Sequence, residues 1–437
     1  MNILMMNYRY FLSAGPERYM FATEDLLKVH GHNVVPFALD YSQNRATPYS
    51  RHFPSPPVGK DVVFYKDMRF TFLRKLKMVG MSIYNFEAKR KLKDAMRAED
   101  IDLVYALQIV NLLAPSVIDA CYEMGIPFVL RLSNFQMVCP SYNLFRNGRI
   151  CEECVTGKYY KGVIHRCMKN SVSISFARVL SMYLSKLRGV NNKISHYISP
   201  SKIVRQKMIE GGFDPEKVTQ VMTFTECAES KPQFKPGDYI LYVGQIEPVK
   251  GLRVLLEAYA GMRTHRSKKL LIAGYSLGDE EQQIKNMVRD RGISGVEFLG
   301  FVKGETLSDL FRNARCVVQP CLWYENVPNV ALEAMGYGKP IVASRLGGMS
   351  EIISDGQDGL LFESGNAREL GRKLTRLLED DSLAEEMGRA ARKKIEEEFG
   401  AERHYRKLMA VFNSVIDTNA RKPVRKLSGG ADQLERL

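Results

Sequence analysis

Two carboxylates with a proline between them are the residues of this sequence best placed to do chemistry. Glu325 and Glu333 stand eight positions apart in the segment 320–340, PCLWYENVPNVALEAMGYGKP. Proline is tolerated in the first turn of a helix, and good helix formers follow Pro328, so a helix is expected to start near Asn326–Pro328. Glu325 then lies in the loop before the helix and Glu333 about two turns along it. Exposed backbone N–H groups near Val327–Val330 would form an anion site suited to a diphosphate, with Asn326, Val327, Pro328 and Asn329 in the donor site. Glu333 could accept two hydrogen bonds from ribose hydroxyls, as acidic residues do in dinucleotide folds. The bland alternative for both glutamates is a solvated helix face.

A second constellation is Cys139-x11-Cys151-x2-Cys154-x12-Cys167, in a stretch too polar to pack unaided. A central C-x2-C with flanking thiols can form a tetrahedral thiolate site for a structural zinc, and His165 could replace one ligand. Free thiols are the competing reading. Cys121, Cys227, Cys316 and Cys321 read as structural. Asp100-Ile-Asp102 matches a D-x-D metal pattern only formally and reads as a turn.

The elements that must hold these residues alternate. In the first half, Met1–Met6, Asn33–Ala38, Leu103–Leu107, Pro127–Leu132 and His196–Ser199 read as buried strands, with helical sequence at Glu17–Val29 and Pro115–Met124. In the second half, Tyr239–Val243, Lys269–Ala273, Val296–Leu299, Cys316–Gln319 and Pro340–Ser344 read likewise. Strand and helix in this rhythm predict βαβ units and parallel sheets. Met124-Gly125-Ile126-Pro127 and Gly338-Lys339-Pro340, each a helix stop and proline before a buried strand, suggest two similar units. The expected organisation is an N-terminal domain over 1–225 with the cysteine-rich insertion 139–167, a linker over 226–238 and a second domain over 239–400. A helix over 401–416 and a loose tail over 417–437 follow.

Composition narrows the partners. At 437 residues, with 45% hydrophobic and 26% charged side chains, the chain reads as a two-domain globular protein. No stretch approaches the ~20 apolar residues that cross a bilayer. With no export signal in view, the sequence points to the cytosol. The net charge of +14 favours an anionic partner. Nucleic acid is disfavoured, since no zinc-finger spacing, RNA-binding aromatic signature or basic arm is present. Residues 69–93 carry eight Lys/Arg against Glu87, interleaved with apolar side chains. They read either as an amphipathic element resting on anionic lipid at the inner membrane face, or as a solvated helix over an apolar core.

The segment around the two glutamates resembles the E-x7-E motif of the family 4 retaining glycosyltransferases. Other pieces fall in the same order. Gly244-Gln245-Ile246-Glu247-Pro248-Val249-Lys250-Gly251 resembles that family's phosphate clamp, and Phe298–Val302 the stretch whose backbone reads the base. Ser344–Ser350 and Gly356–Phe362 resemble the segments after the motif, and Ala14–Arg18, with Gly15, the glycine loop after the first strand. The likeness is close from Tyr239 to Phe362 and loose before it. It implies a GT-B fold: two doubly wound Rossmann-like domains facing a cleft, with a C-terminal helix packing back on the first. It further implies metal-independent, retaining transfer of a hexosyl group from a UDP- or GDP-sugar to a glycan or polyprenyl-linked acceptor in surface-polysaccharide synthesis. Glu333 would hold the ribose, Lys250 the phosphates, and Glu325 would sit by the transferring sugar. Gly15, Gly244, Gln245, Phe301 and Val302 would complete the donor site. The sequence departs from the pattern at Gln245, where the family has an arginine, and at Ser133-Asn134, where it often has a histidine. A nucleotide-sugar-binding protein with weak or no transferase activity is the alternative these departures suggest.

Overall fold

The computed structural model describes residues 1–13, 15–61, 80–81, 84–109, 113, 115–226, 231–262 and 268–420. Two six-stranded sheets organise the chain, and every pairing in them is parallel. The first contains β1 (Asn2–Asn7), β2 (Asn33–Phe37), β3 (Leu103–Gln108), β4 (Phe128–Arg131), β7 (His196–Ser199) and β8 (Val218–Gln220). Their spatial order is β2-β1-β3-β4-β7-β8, and a short hairpin of β5 (Phe145–Arg146) and β6 (Arg149–Ile150) stands apart. The second contains β9 (Tyr239–Val243), β10 (Lys269–Ala273), β11 (Val296–Gly300), β12 (Cys316–Gln319), β13 (Ile341–Ser344) and β14 (Gly359–Phe362). Its order is β11-β10-β9-β12-β13-β14, the doubly wound arrangement in which strand order reverses between β9 and β12.

The strands read as unbroken apolar runs because both faces of each sheet are covered. Leu4 and Met6 point into one core cluster, while Ile3 and Met5 point into another on the opposite face. Ile240 and Tyr242 are separated from Leu241 in the same way. Each fully buried side chain of this size contributes roughly 1.5–3 kcal/mol. The two matching helix stops both occur: Gly125 (φ 69°) and Gly338 (φ 74°) are left-handed, ahead of β4 and β13.

The helix Ala401–Ala420 follows the second sheet but buries Leu408, Val411, Phe412 and Val415 against Ile3, Met5, Leu103 and Tyr105 of the first. It runs on to Ala420, past the expected end at 416. His404 on this helix is buried and donates from Nδ1 to the Met222 carbonyl (2.8 Å). Its Nε2 accepts from the Tyr19 hydroxyl (3.0 Å), which in turn lies 2.9 Å from the hydroxyl of Tyr105. From Lys231 onward the linker is fastened to the second unit through Gln233 N–H to Tyr337 O (3.1 Å) and Lys339 Nζ to Lys235 O (3.0 Å).

Of the basic element 69–93, residues 69–79, 82 and 83 lie outside the described residues. The rest opens the helix Phe86–Ala98, which lays Ala88, Leu92, Ala95 and Met96 on the core. Lys89 and Lys93 pair with Glu123 at 2.6 Å each. In that portion the apolar face lies on the core, as the second of the two readings expects. Asp100 and Asp102 form the expected turn: the Asp102 carboxylate accepts the Asn2 N–H (2.8 Å) at the start of β1.

Candidate active site

Ligands of doubly wound sheets bind outside the carboxyl ends of the strands, where strand order reverses. In the second sheet that point lies between the loops after β9 and β12. The β9 loop ends in a single tight turn, Pro248–Lys250, closed by Gly251 at φ 72°. A Cβ on Gly251 would stand 1.9 Å from the Pro320 carbonyl oxygen, so only glycine lets the two loops meet. The Leu322 N–H donates to the Val249 carbonyl (2.8 Å) and fixes the contact.

This brings Lys250 and Glu325 together as an ion pair. Trp323 donates its Nε1–H to Glu325 Oε1 at 2.7 Å, and the Lys250 ammonium lies 5.4 Å from the centroid of the Trp323 ring. Burial acts to discharge Lys250, but Glu325 and neighbouring groups more than offset it and hold the ammonium above the ordinary lysine range. Burial, with Glu325 adding, pushes the thiol of Cys321 up to about 12. The backbone of Glu325 and Asn326 rests on Gly347-Gly348. The Gly348 N–H donates to the Glu325 carbonyl (2.7 Å), and a Cβ on Gly348 would stand 1.4 Å from the Asn326 oxygen.

The helix of the motif runs from Asn329 to Gly336 with Pro328 as its cap. It therefore begins later than expected, and Glu333 sits just over one turn along it rather than two. The loop keeps Asn326 and Val327: Asn326 Nδ2 donates to the Ser133 carbonyl (2.7 Å) at the end of β4, across the cleft, and Val327 is buried. The Asn326 side-chain oxygen is buried with no partner among the described residues. The Tyr324 hydroxyl donates to Glu152 (2.8 Å), and Glu351 accepts the Lys202 and Ile203 N–H groups (2.7 and 3.0 Å) at the start of a helix of the first unit.

Glu333 faces a cavity of about 430 Å³ between the two units, lined also by Arg18, Thr225, Ser308, Asn329 and Tyr337. Arg18, on the helix Gly15–Val29, forms an ion pair with Glu333. Burial raises the Glu333 carboxyl above its ordinary range, and Arg18 pulls against that rise. Gly15, at the head of the same helix, approaches Asn329: a Cβ there would lie 3.8 Å from Asn329 Nδ2.

The other residues singled out from the sequence are more dispersed. Lys250, Glu325, Gly244, Gln245, Phe301 and Val302 do not line this cavity, although Gly304 and Glu305, just after Val302, do. Gln245 accepts the Tyr242 hydroxyl through its backbone carbonyl (2.8 Å). Phe301 is largely exposed, edge-on to Tyr275. Sequence reasoning passed over Trp323, although a lone tryptophan two positions before Glu325 was a signal, and it did not find the Arg18–Glu333 pairing.

Cys139, Cys151, Cys154 and Cys167 lie near one another: the Cys154 thiol is pushed up to about 12 by burial first, then by the other three. All four are free thiols. Among the described residues, no three His, Cys, Asp or Glu side chains converge as metal ligands. Cys154 packs with Tyr159, Val179 and Met182, Cys139 meets the Ser141 hydroxyl (3.3 Å), and Cys151 lies 3.9 Å from Glu153. Apolar packing, which the sequence reading did not expect of this insertion, holds it in place. Cys227 lies outside the described residues.

Residues 224–394, which contain both glutamates and Lys250, match the family model of the glycosyl transferases group 1. The match is to that segment alone, which resembles a group 1 glycosyltransferase domain. An uncharacterized glycosyltransferase of Methanocaldococcus jannaschii is 32% identical over 219 residues, 49% of this chain and 55% of that protein. Phosphatidyl-myo-inositol mannosyltransferase of Mycobacterium leprae is 32% identical over 47% of this chain and 56% of its own length. The chain thus spans about half the length of these curated relatives. Likeness of fold extends further than likeness of sequence. Sucrose-phosphate synthase from Thermosynechococcus elongatus superposes with a TM-score of 0.68 at 17% identity, over 95% of this chain and 99% of that one. Anabaena HepE in complex with UDP-glucose gives 0.65 at 16% identity, over 95% and 100%. The fold is thus GT-B: two doubly wound units face each other across a cleft, the second contains the matched segment, and the C-terminal helix returns to the first.

Proposed function

We propose that the chain is a retaining, metal-independent glycosyltransferase that moves a hexosyl group from a UDP- or GDP-sugar to a glycan or lipid-linked acceptor in cell-surface polysaccharide synthesis. The carrying observation is the Lys250–Glu325 pair, set where strand order reverses between β9 and β12, beside the start of the helix that bears Glu333. In this reading Glu333 accepts the ribose hydroxyls. Lys250 and the amides opening the helix Asn329–Gly336 neutralise the diphosphate as it departs. Glu325 lies beside the sugar carbon as the bond to the diphosphate breaks and an acceptor hydroxyl attacks, where a carboxylate stabilises oxocarbenium-like charge. Asn329, Asn326 and the backbone from Gly244 to Gln245 complete the donor cradle, Phe301 and Val302 border the base, and Gly15 lets the first loop come close.

Support comes from the UDP-glucose held by Anabaena HepE, which shares the fold, and from the mannosyltransferase relative, whose name couples a sugar to a lipid. The decisive assay incubates the protein with UDP- and GDP-hexoses and a panel of glycan and polyprenyl-linked acceptors, following nucleotide release and product. Failure with every donor would sink the proposal. Tight donor binding without transfer would leave the nucleotide-sugar-binding alternative.

A further inference from the structure

The N-terminal unit carries an apolar ridge that is left largely exposed among the described residues. The helix Val172–Leu187 turns Ser175, Val179 and Met182 inward and leaves Val172, Phe176, Leu180, Leu184 and Leu187 exposed. At 100° per residue these five fall within an arc of about 120°, next to the buried face and distinct from it. Phe176 is 57% and Leu187 82% exposed, and Ser173 and the half-buried Tyr183 share the arc. Ile164, on the one-turn helix packed alongside, is exposed as well. The ridge is about 24 Å long.

The charge around the ridge is of one sign. From Cys154 to Ile209 the sequence holds eleven Lys/Arg and no Asp or Glu. Lys158 and Arg166 are exposed ahead of the helix, and Lys186 and Arg188 near its end. Acids that approach from neighbouring elements are already engaged: Asp119 with Arg188 and Lys193, and Glu153 with Arg146 and Lys161. Two copies meeting through this face would stack like charges. Apolar side chains in the middle and cations at the ends match a surface with anionic headgroups over an acyl interior. None of the described helices is long and apolar enough to cross a bilayer, so the contact would be peripheral.

We infer that the helix Val172–Leu187 docks the protein on an anionic lipid surface. This differs from the basic element 69–93 singled out in the sequence, and it does not depend on which sugar is transferred. The test is co-flotation of the full chain with vesicles of phosphatidylcholine alone and with about one-third phosphatidylglycerol. Anionic vesicles should retain the protein and neutral ones should retain much less. Phe176→Glu with Leu187→Glu should weaken retention about tenfold or more, because a charge then faces the acyl boundary. Lys158→Gln with Arg166→Gln and Lys186→Gln should weaken it and flatten its salt dependence. All these positions are exposed, so an unchanged unfolding midpoint verifies the fold. Wild-type protein that ignores anionic vesicles overturns the inference, as do variants that bind them undiminished. So does a dimer in sedimentation that Phe176→Glu with Leu187→Glu dissolves without changing vesicle retention.

Discussion

The guanidinium of Arg18, on the first helix of the N-terminal unit, is paired with the carboxylate of Glu333, 315 positions away on the other side of the cleft. If Glu333 holds the ribose as proposed, an arriving donor has to share or displace that contact. Glu333→Ala should weaken nucleotide binding by about ten- to a hundredfold, the scale of hydrogen bonds to a charged group. Burial already raises the Glu333 carboxyl, and removing the opposing cation raises it further. The ionised form is the better acceptor for ribose hydroxyls, so affinity falls as pH drops through that pKa. Arg18→Ala should move the fall to higher pH, as titration calorimetry with UDP and GDP across a pH series can establish.

Lys250→Ala leaves Glu325 with the Trp323 indole and no cation. Turnover should drop about 10²- to 10³-fold, the usual cost of removing one preorganised charge partner. Glu325→Gln should spare most donor binding and lose turnover. Trp323 is the only tryptophan in the chain and lies beside both residues, so its fluorescence should change when donor binds. A stopped-flow trace in which saturating donor leaves emission unaltered would contradict that placement.

Gly348→Ala tests the loop rather than the charges. Its backbone (φ −65°) suits any residue, but the added carbon meets the Asn326 carbonyl. The loop bearing Glu325 must shift, at a cost of about 1–3 kcal/mol. Thermal unfolding should show that loss, and activity should fall further than the stability change accounts for.

His404 makes stability depend on pH. Burial first, then Arg131, lowers its pKa to about 3, below the unfolded value of 6.5. The unfolded chain therefore binds the proton more readily, and stability drains away as pH falls from about 6.5 toward 3. At pH 4.5 the loss should be about 2–3 kcal/mol. Urea titrations of wild type and His404→Gln, which cannot take up the proton, should diverge at neutral pH and converge on acidification.

Much of the scaffold was legible because both faces of each sheet are buried. His196–Ser199, Tyr239–Val243, Lys269–Ala273 and Cys316–Gln319 begin and end where their apolar runs do. Val218–Gln220 was not, since a three-residue edge strand ending in Thr and Gln has no such run. The Lys250–Glu325 contact depends on β9 and β12 being neighbours, which pattern alone does not state. Asn326 was expected at the head of a helix, but its bond to Ser133 holds it in the loop. The cysteine spacing anticipated that the four thiols lie near one another, but not that Cys154 packs with Tyr159, Val179 and Met182.

The helix Ala401–Ala420 carries a consequence for how the protein is made. Its side chains complete the core beneath β1 and β3, yet the ribosome reaches them only after the whole second sheet has been translated. The second unit can therefore mature while the first still waits for its closing piece. A stall or truncation before residue 401 would leave a finished second unit joined to an unfinished partner, with Ile3, Leu103 and Tyr105 open to aggregation.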